Sequence, residues 1–141
     1  MQSFSVQREL RFGDCDPSEI AYVPSYLNIL NGVVEEFWTT IGFPLLDLLF
    51  ARQMGTPTVH LDCDFVHPSV FGDLLIFTLT ICRVGRTSRG FEHAVAGVDG
   101  PRWKARQTVV ATSVVDHRSV PWPDEIRDML VRYFSEPVGQ E

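Results

Sequence analysis

A run of apolar residues at helical spacing, between Pro24 and Gly42, constrains the fold of this chain more than any other feature. Its apolar positions, which recur at steps of three and four residues, are Tyr26, Leu27, Leu30, Val33, Val34, Phe37, Trp38 and Ile41. This spacing predicts an α-helix over 24–41, because Pro24 suits a first helical position and Gly42 suits the residue after the end. Ile29 widens the apolar face, so most of the helix circumference is predicted to be covered by a curved sheet.

The rest of the chain consists mainly of segments with strand character. The predicted strands cover residues 4–12, 59–65, 74–83, 91–98 and 103–115. Shorter helices are predicted over 44–53 and 124–134. The segment 74–83 is apolar at nearly every position, as in a central strand covered on both faces, whereas 59–65 alternates like a half-exposed strand. Because consecutive strands with short connections pair antiparallel, the predicted class is α+β, with helices on one face of one sheet.

Composition limits the classes of protein to which the chain can belong. Its length predicts a single domain over 1–134, followed by a flexible tail over 135–141. The net charge of −6 argues against a nucleic-acid partner, and no apolar run reaches the length of a membrane span. The cysteines, Cys15, Cys63 and Cys82, are odd in number and form no C-x-x-C pair. These features favour a cytoplasmic protein without a disulfide framework, structural zinc site or signal peptide.

Two carboxylates lie in the loop directly before the long predicted helix. Residues 13–19 show no periodicity and contain glycine, aspartate, proline and serine, which favour turns. Asp14 and Asp16 therefore lie close in sequence to a helix start, where unpaired backbone N–H groups favour negative charge. This loop is the stretch in which chemistry is expected.

The same loop carries a resemblance to a known family. Residues 12–17, Phe-Gly-Asp-Cys-Asp-Pro, followed by Ile20 and Tyr26, resemble the signature of the 4-hydroxybenzoyl-CoA thioesterase family. Weaker matches are found at 65–68, 71–73, 84–88 and the end of the last strand at Asp116, so the resemblance covers roughly 4–131. It implies the hotdog fold, an antiparallel sheet wrapped around a long central helix. It also implies acyl-CoA thioester hydrolysis, a homodimer or homotetramer, and no metal or organic cofactor.

The resemblance further implies roles for residues of the loop. Asp16 is the implied catalytic carboxylate, which either attacks the thioester carbonyl or acts as the base for water. Donors for the developing oxyanion are expected among the amides of Tyr22, Val23 and Ser25, since Pro24 has no N–H. The family points to Val23, and Tyr22 is expected to contact the substrate.

A basic connector at 85–90 is the second implied part of the site. Arg86, Ser88 and Arg89 form the only concentrated group of donors in the sequence. By resemblance they hold the nucleotide or pantetheine part of CoA, because the planar guanidinium suits phosphate groups. A solvated hairpin turn is the alternative interpretation.

Other polar residues receive structural interpretations. Asp14 is expected to bond loop amides and hold Asp16 in place, and Cys15 to be a small packing residue rather than a nucleophile. Glu35 and Glu36 lie on the long helix, where other hotdog thioesterases place a catalytic glutamate, but a solvated position or one at the edge of the slot is favoured for both. The alternating His60, Asp62 and Asp64 are expected to form a polar strand face rather than a metal site.

Glu19 is the clearest departure from the family pattern. Relatives usually have glycine there, which adopts positive φ and leaves room for a ligand. Two functions therefore stay open: an acyl-CoA thioesterase that acts on an aryl or a short or medium acyl group, and a non-catalytic protein that binds acyl-CoA or an acyl carrier, with Glu19 as the reason for inactivity.

Overall fold

The computed structural model describes residues 2–134, whose strands form one large and one small antiparallel sheet. The strands are β1 (Phe4–Glu9), β2 (Met54–Gly55), β3 (Thr58–Phe65), β4 (Leu74–Val84), β5 (Ser88–Gly97), β6 (Gly100–Val110) and β7 (Thr112–Ser113). The helices are α1 (Val23–Thr40), α2 (Leu45–Phe50) and α3 (Asp124–Leu130). This arrangement confirms the predicted α+β class. The tail predicted over 135–141 lies outside the described residues.

The large sheet has the strand order β1-β4-β5-β6-β3, with every neighbouring pair antiparallel. The predicted hairpin is present as β5 and β6, and Gly97 pairs with Gly100 at its turn. The strand predicted over 103–115 instead leaves this sheet after Val110, and β7 then pairs with β2. The small sheet was not predicted, because two-residue strands are too short to show periodicity.

Helix α1 packs one face against the large sheet through aromatic contacts. The buried ring of Phe37 lies 5.7 Å from the ring of Phe4 and 5.9 Å from that of Phe91, between ring centroids. Near the start of α1, the ring centroids of Tyr26 and Trp103 are 4.9 Å apart. Gly42 has a φ of 98° and follows the helix end, as the sequence predicts. These contacts fix the start of α1, and with it the loop that precedes the helix, relative to the sheet.

Three predictions of burial are wrong within a single chain. The circumference of α1 is not mostly covered, since its buried residues lie on one face: Tyr26, Leu30, Val33, Phe37 and Trp38. Strand β4 is covered on one face only, because Leu74 is 46% and Ile76 41% exposed. Edge strand β3 is largely exposed rather than half-exposed, because it has a neighbouring strand on one side only, although the ring of its last residue, Phe65, lies 5.8 Å from that of Tyr26.

No helix within residues 2–134 is long and apolar enough to cross a membrane.

A buried polar chain crosses the sheet beneath α1. Nε2 of His93 donates to Oε1 of Gln107 at 2.8 Å, and Nε2 of Gln107 donates to Oγ1 of Thr58 at 2.8 Å. Burial lowers the pKa of His93 to about 4, from an ordinary value of 6.5. The unfolded chain therefore binds an extra proton between these values, and folding stability decreases as pH falls through that interval.

Candidate active site

The loop before α1 folds back on itself as a small antiparallel turn. Cys15 and Ala21 form an antiparallel bridge, the Tyr22 amide donates to the Asp14 carbonyl at 2.9 Å, and the Asp16 amide donates to the Ile20 carbonyl at 3.0 Å. The carboxylate of Asp14 accepts the Arg11 amide at 2.9 Å. Asp14 therefore bonds a loop amide, as predicted for a structural residue.

Asp16 presents an ionised, partly exposed carboxylate at the tip of this turn. Its Oδ1 accepts the Ser18 amide at 2.8 Å and also the Ser18 hydroxyl. These two bonds, the hydroxyl bond first, hold the pKa of the Asp16 carboxyl below its ordinary value. The role of Ser18 was not predicted, although the Asp-x-Ser spacing is a turn signal that indicates such a bond.

Among the three amides considered as oxyanion donors, Val23 differs from the other two. The Tyr22 amide is bonded to Asp14, and the Ser25 amide donates to the Tyr22 carbonyl at 2.8 Å. The Val23 amide donates to no residue in the described part of the chain. Val23 is also the first residue of α1 and its side chain is 48% exposed, so a ligand can reach this end of the helix.

Glu19 occupies the backbone conformation for which glycine is suited, with a φ of 69°. Its amide donates to the Asp16 carbonyl at 2.9 Å, and its carbonyl accepts the Phe71 amide at 3.1 Å. The bonds on both sides hold the residue in this conformation, while its side chain is exposed. The loop therefore keeps the left-handed turn that the family motif implies, despite the glutamate.

We expect Glu19→Gly to stabilise the fold by about 0.5 kcal/mol. Relief of left-handed strain contributes roughly 1–2 kcal/mol, and the greater freedom of glycine in the unfolded chain offsets about 0.4–1 kcal/mol of it. Urea unfolding at pH 7 measures the difference. The matched control is Glu19→Ala, which removes the carboxylate but keeps the strained Cβ. An equal gain in both variants would show that charge, and not conformation, is responsible.

A buried arginine, Arg102, supports the segment 68–73, which lies beside the loop. Nη1 of Arg102 donates to Oδ2 of Asp73 at 2.6 Å, and Nη2 donates to Oδ1 of Asp99 at 2.9 Å. Burial would raise the pKa of Asp73, but the bonds from Arg102 and the Val70 amide keep that pKa below its ordinary value. A Cβ on Gly97 would lie 2.5 Å from Nη2 of Arg102, so the guanidinium occupies space that only glycine leaves free.

The basic connector does not present its donors as one cluster. Arg86 is exposed and Ser88 is half-buried. Arg89 is buried, because it is part of β5 and its side chain points into the protein interior. Nη1 of Arg89 donates to the carbonyls of Gly85 and Ser88, and its guanidinium lies 5.4 Å from the ring centroid of Trp122. Burial lowers the pKa of Arg89 to about 10. Arg89 therefore supports the connector from within instead of facing solvent beside Arg86.

The other polar candidates lie outside this site. Glu36 forms an ion pair with Arg8 of β1, so its carboxylate is engaged at the sheet edge. His60 bonds Asp62 at 3.0 Å on the exposed strand β3, where Asp62 and Asp64 line a cavity of about 370 Å³ together with Lys104. Residues 2–134 contain no group of side chains that could hold a metal ion.

The chain is similar to proteins that are named as thioester hydrolases. The profile of the Thioesterase-like superfamily matches residues 10–130. The chain is 27% identical over 139 residues to a 1,4-dihydroxy-2-naphthoyl-CoA hydrolase of Nostoc punctiforme, with 99% of this chain and 94% of that protein covered.

Two solved structures have similar folds. The 4-hydroxybenzoyl-CoA thioesterase of a Pseudomonas species has a TM-score of 0.84 at 24% identity, covering 92% of this chain and 99% of the other. A Staphylococcus aureus protein solved in complex with CoA has a TM-score of 0.88 at 16% identity, covering 99% and 89%. At these identities the structural similarity establishes the fold alone.

Proposed function

The chain belongs to the thioesterase-like superfamily, and on this premise we propose that it hydrolyses an acyl-CoA thioester to the free acid and CoA. The observation that carries the proposal is the pairing, in one short loop, of the ionised Asp16 carboxylate with the unengaged Val23 amide at the start of α1. The fold is the hotdog-like α+β fold, in which we assign α1 the role of the central helix.

The proposed reaction begins with attack of the Asp16 carboxylate on the thioester carbonyl carbon. A C–O bond forms, and the carbonyl oxygen becomes an oxyanion that accepts the Val23 N–H at the positive end of the helix. The C–S bond then breaks, and the CoA thiolate leaves and takes a proton from water. Water attacks the resulting mixed anhydride, which gives the free acid and restores the carboxylate.

The lowered pKa of Asp16 favours this route over general-base catalysis. A general base works best when its pKa lies near the working pH, and a carboxylate below its ordinary value is a weak base at pH 7. A carboxylate nucleophile must be ionised at the working pH, which the bonds from Ser18 ensure. Attack by the carboxylate itself is therefore the proposed route.

The proposed substrate contacts lie at opposite ends of β4, an 11-residue strand that spans about 35 Å, with Tyr22 beside the loop and the connector after the far end of the strand. The connector is therefore proposed to contact a substrate that is bound at the loop of a second copy. Tyr22 is 54% exposed beside the Val23 amide, where it can contact the acyl group or pantetheine. Arg86, with Ser88 beside it, is the exposed donor of the connector and is assigned to the CoA phosphates. An aryl acyl group is proposed because the similar proteins are named for aryl-CoA substrates.

Release of free thiol from a panel of CoA thioesters tests the proposal. The panel contains 4-hydroxybenzoyl-CoA, 1,4-dihydroxy-2-naphthoyl-CoA, and short and medium straight-chain acyl-CoAs. Turnover of the aryl members at a higher kcat/KM than the straight-chain members is the expected result. Binding of these esters without thiol release would instead support the alternative function, a non-catalytic acyl-CoA or acyl-carrier binding protein.

We expect Ser18→Ala to move the acid limb of the pH–rate profile to higher pH. Asp16 must be ionised, so kcat/KM falls as pH decreases through its pKa, which Ser18 holds below 3.8. Loss of the hydroxyl removes the largest cause of that lowering. Initial rates after a pH jump, between about pH 3 and pH 7, measure the limb. The control Ser5→Ala, on β1, should not move it, and an unmoved limb in Ser18→Ala would exclude Asp16 as the titrating group.

We also propose that two copies associate through edge strand β3. This strand exposes a row of apolar side chains on the face shared with the core, Leu61 at 37% and Phe65 at 48%, which pair with the buried Gln107 and Trp103 of β6. An exposed eight-residue edge strand with such a row offers both backbone hydrogen bonds and apolar area to a second copy.

We expect Leu61→Glu to dissociate this assembly, because a carboxylate in the apolar row loses hydration on association. Sedimentation velocity should give a dimer or tetramer for the original protein and a monomer for the variant. The control His60→Glu places the same charge on the opposite face of the strand and should leave the assembly intact. A monomeric original protein would contradict the proposal.

A further inference from the structure

We propose that Asp73 and Arg102 are positioning residues for the loop that carries Asp16. In this inference, which rests on the proposed hydrolase function, their ion pair fixes the segment 68–73, and that segment holds the loop against the start of α1. Neither residue is assigned a contact with the substrate. They act through the backbone between them and the reacting groups.

The first step is the attachment of the segment 68–73 to the sheet. The Arg102 side chain is 6% exposed, and its Nη1 donates to Oδ2 of Asp73 at 2.6 Å. The same Nη1 donates to Oγ of Ser69 at 3.1 Å and to the Pro68 carbonyl at 3.3 Å. Oδ2 of Asp73 also accepts the Val70 amide at 2.9 Å. One guanidinium of β6 therefore holds both ends of the segment.

The second step is the attachment of the segment to the loop. The Ala21 amide donates to the Ser69 carbonyl at 2.9 Å, and the Phe71 amide donates to the Glu19 carbonyl at 3.1 Å. Ile20 and Val70 form an antiparallel bridge between these two bonds. The stretch 19–21 therefore pairs with the segment as a short strand would. This stretch connects Asp16 to Val23, so it sets the distance between the proposed nucleophile and the proposed oxyanion donor.

The effect on the reaction follows from this connection. A displacement of about 1 Å between reacting groups can lower a rate by about a hundredfold, even when the altered residue is distant from the chemistry. Asp73→Asn keeps an acceptor oxygen but removes the charge from the bond to the Arg102 guanidinium, and a bond between two charged groups is about twice as strong as a neutral one. The substitution should therefore loosen the loop but leave Arg102 paired with Asp99, whose Oδ1 lies 2.9 Å from Nη2. Asp73→Asn is therefore expected to fold and to lose positioning selectively.

The test compares Asp73→Asn with Asp99→Asn, which removes the other carboxylate of the same guanidinium. Asp73→Asn should lower kcat by about 10- to 100-fold with KM changed less than about twofold. Asp99 is 58% exposed and has no bond to the segment 68–73, so Asp99→Asn should stay within about twofold in both constants. Arg86→Ala should show the opposite division, with a raised KM and little change in kcat.

Hydrogen exchange supplies a second readout that does not depend on activity. The backbone amides of residues 19–22 should exchange faster in Asp73→Asn than in the original protein, and at the original rate in Asp99→Asn. Should Asp73→Asn fold poorly, Ser69→Ala removes a single 3.1 Å bond to Arg102 and should give a smaller change in the same direction.

The outcomes distinguish this inference from the proposed function. An unchanged kcat in folded Asp73→Asn, or an unchanged exchange rate at 19–22, would overturn the positioning role. Absence of thiol release by the original protein across the panel would overturn the proposed function. The exchange comparison would then decide by itself whether the ion pair orders the loop.

Discussion

Replacement of Asp16 by asparagine is expected to lower kcat by about three to four orders of magnitude. The amide is nearly the same size as the carboxylate and its oxygen can still accept the Ser18 bonds, so the turn should persist. It carries no negative charge, however, and attacks a thioester carbonyl poorly. KM should change only a few-fold, because the CoA contacts are assigned to other parts of the chain. Single-turnover and steady-state thiol release measure both constants.

The matched control for this result is Asp14→Asn, two residues earlier in the same turn. The Asp14 carboxylate accepts the Arg11 amide, and an amide oxygen can accept the same bond. We therefore expect a loss of less than about tenfold. Comparable activity of Asp16→Asn and the original protein would remove Asp16 from the mechanism. Comparable losses in both variants would assign them to the turn as a whole.

Replacement of Arg102 by leucine is expected to lower the free energy of unfolding by about 3 kcal/mol. The substitution leaves the Asp73 carboxylate, whose side chain is only 25% exposed, without its cationic partner, and it removes the donor from Ser69, which is fully buried. Removal of one member of a buried pair is costly because the remaining charge loses both water and its partner.

Urea unfolding at pH 7 measures this loss, and the melting temperature should fall by about 10 °C. The matched control is Arg106→Leu on the same strand, where the arginine is exposed and forms no ion pair within residues 2–134. Its expected loss is below about 0.5 kcal/mol. Equal losses in the two variants would show that the free energy is lost through removal of any charged side chain from this strand, and not through loss of the buried ion pair.

Most of the fold follows from local patterns in the sequence. The limits of α1 follow from apolar spacing, a proline in the first turn and Gly42 after the end. The hairpin of β5 and β6 follows from the turn residues at 99–101. The coverage of only one face of β4 could not be predicted, because a continuous apolar run is equally compatible with a strand covered on one face or on both faces. Coverage of the second face depends on whether a second copy packs against it.

In the site, too, the residues of the local motif could be predicted from the sequence, whereas contacts between distant parts of the chain could not. Asp16, Val23 and the left-handed position of Glu19 lie within one contiguous motif, which the sequence makes visible. Arg102 lies far along the chain from this motif, and its burial beside Asp73 depends on the antiparallel arrangement of the strands. The prediction that Arg89 faces solvent beside Arg86 was wrong, because closeness in sequence does not tell which side chains of a strand point inward.

The absence of a side chain at Gly97 limits the substitutions that this protein can accept in the hairpin of β5 and β6. A methyl group there would displace the guanidinium that holds residues 68–73 beside the loop of Asp16. Gly97 belongs to a hairpin turn, where sequence change is usually tolerated, yet mutational screens should find it as intolerant as a residue that contacts the substrate. Libraries that diversify this hairpin should therefore keep position 97 fixed, or lose activity without altering any residue assigned to the chemistry.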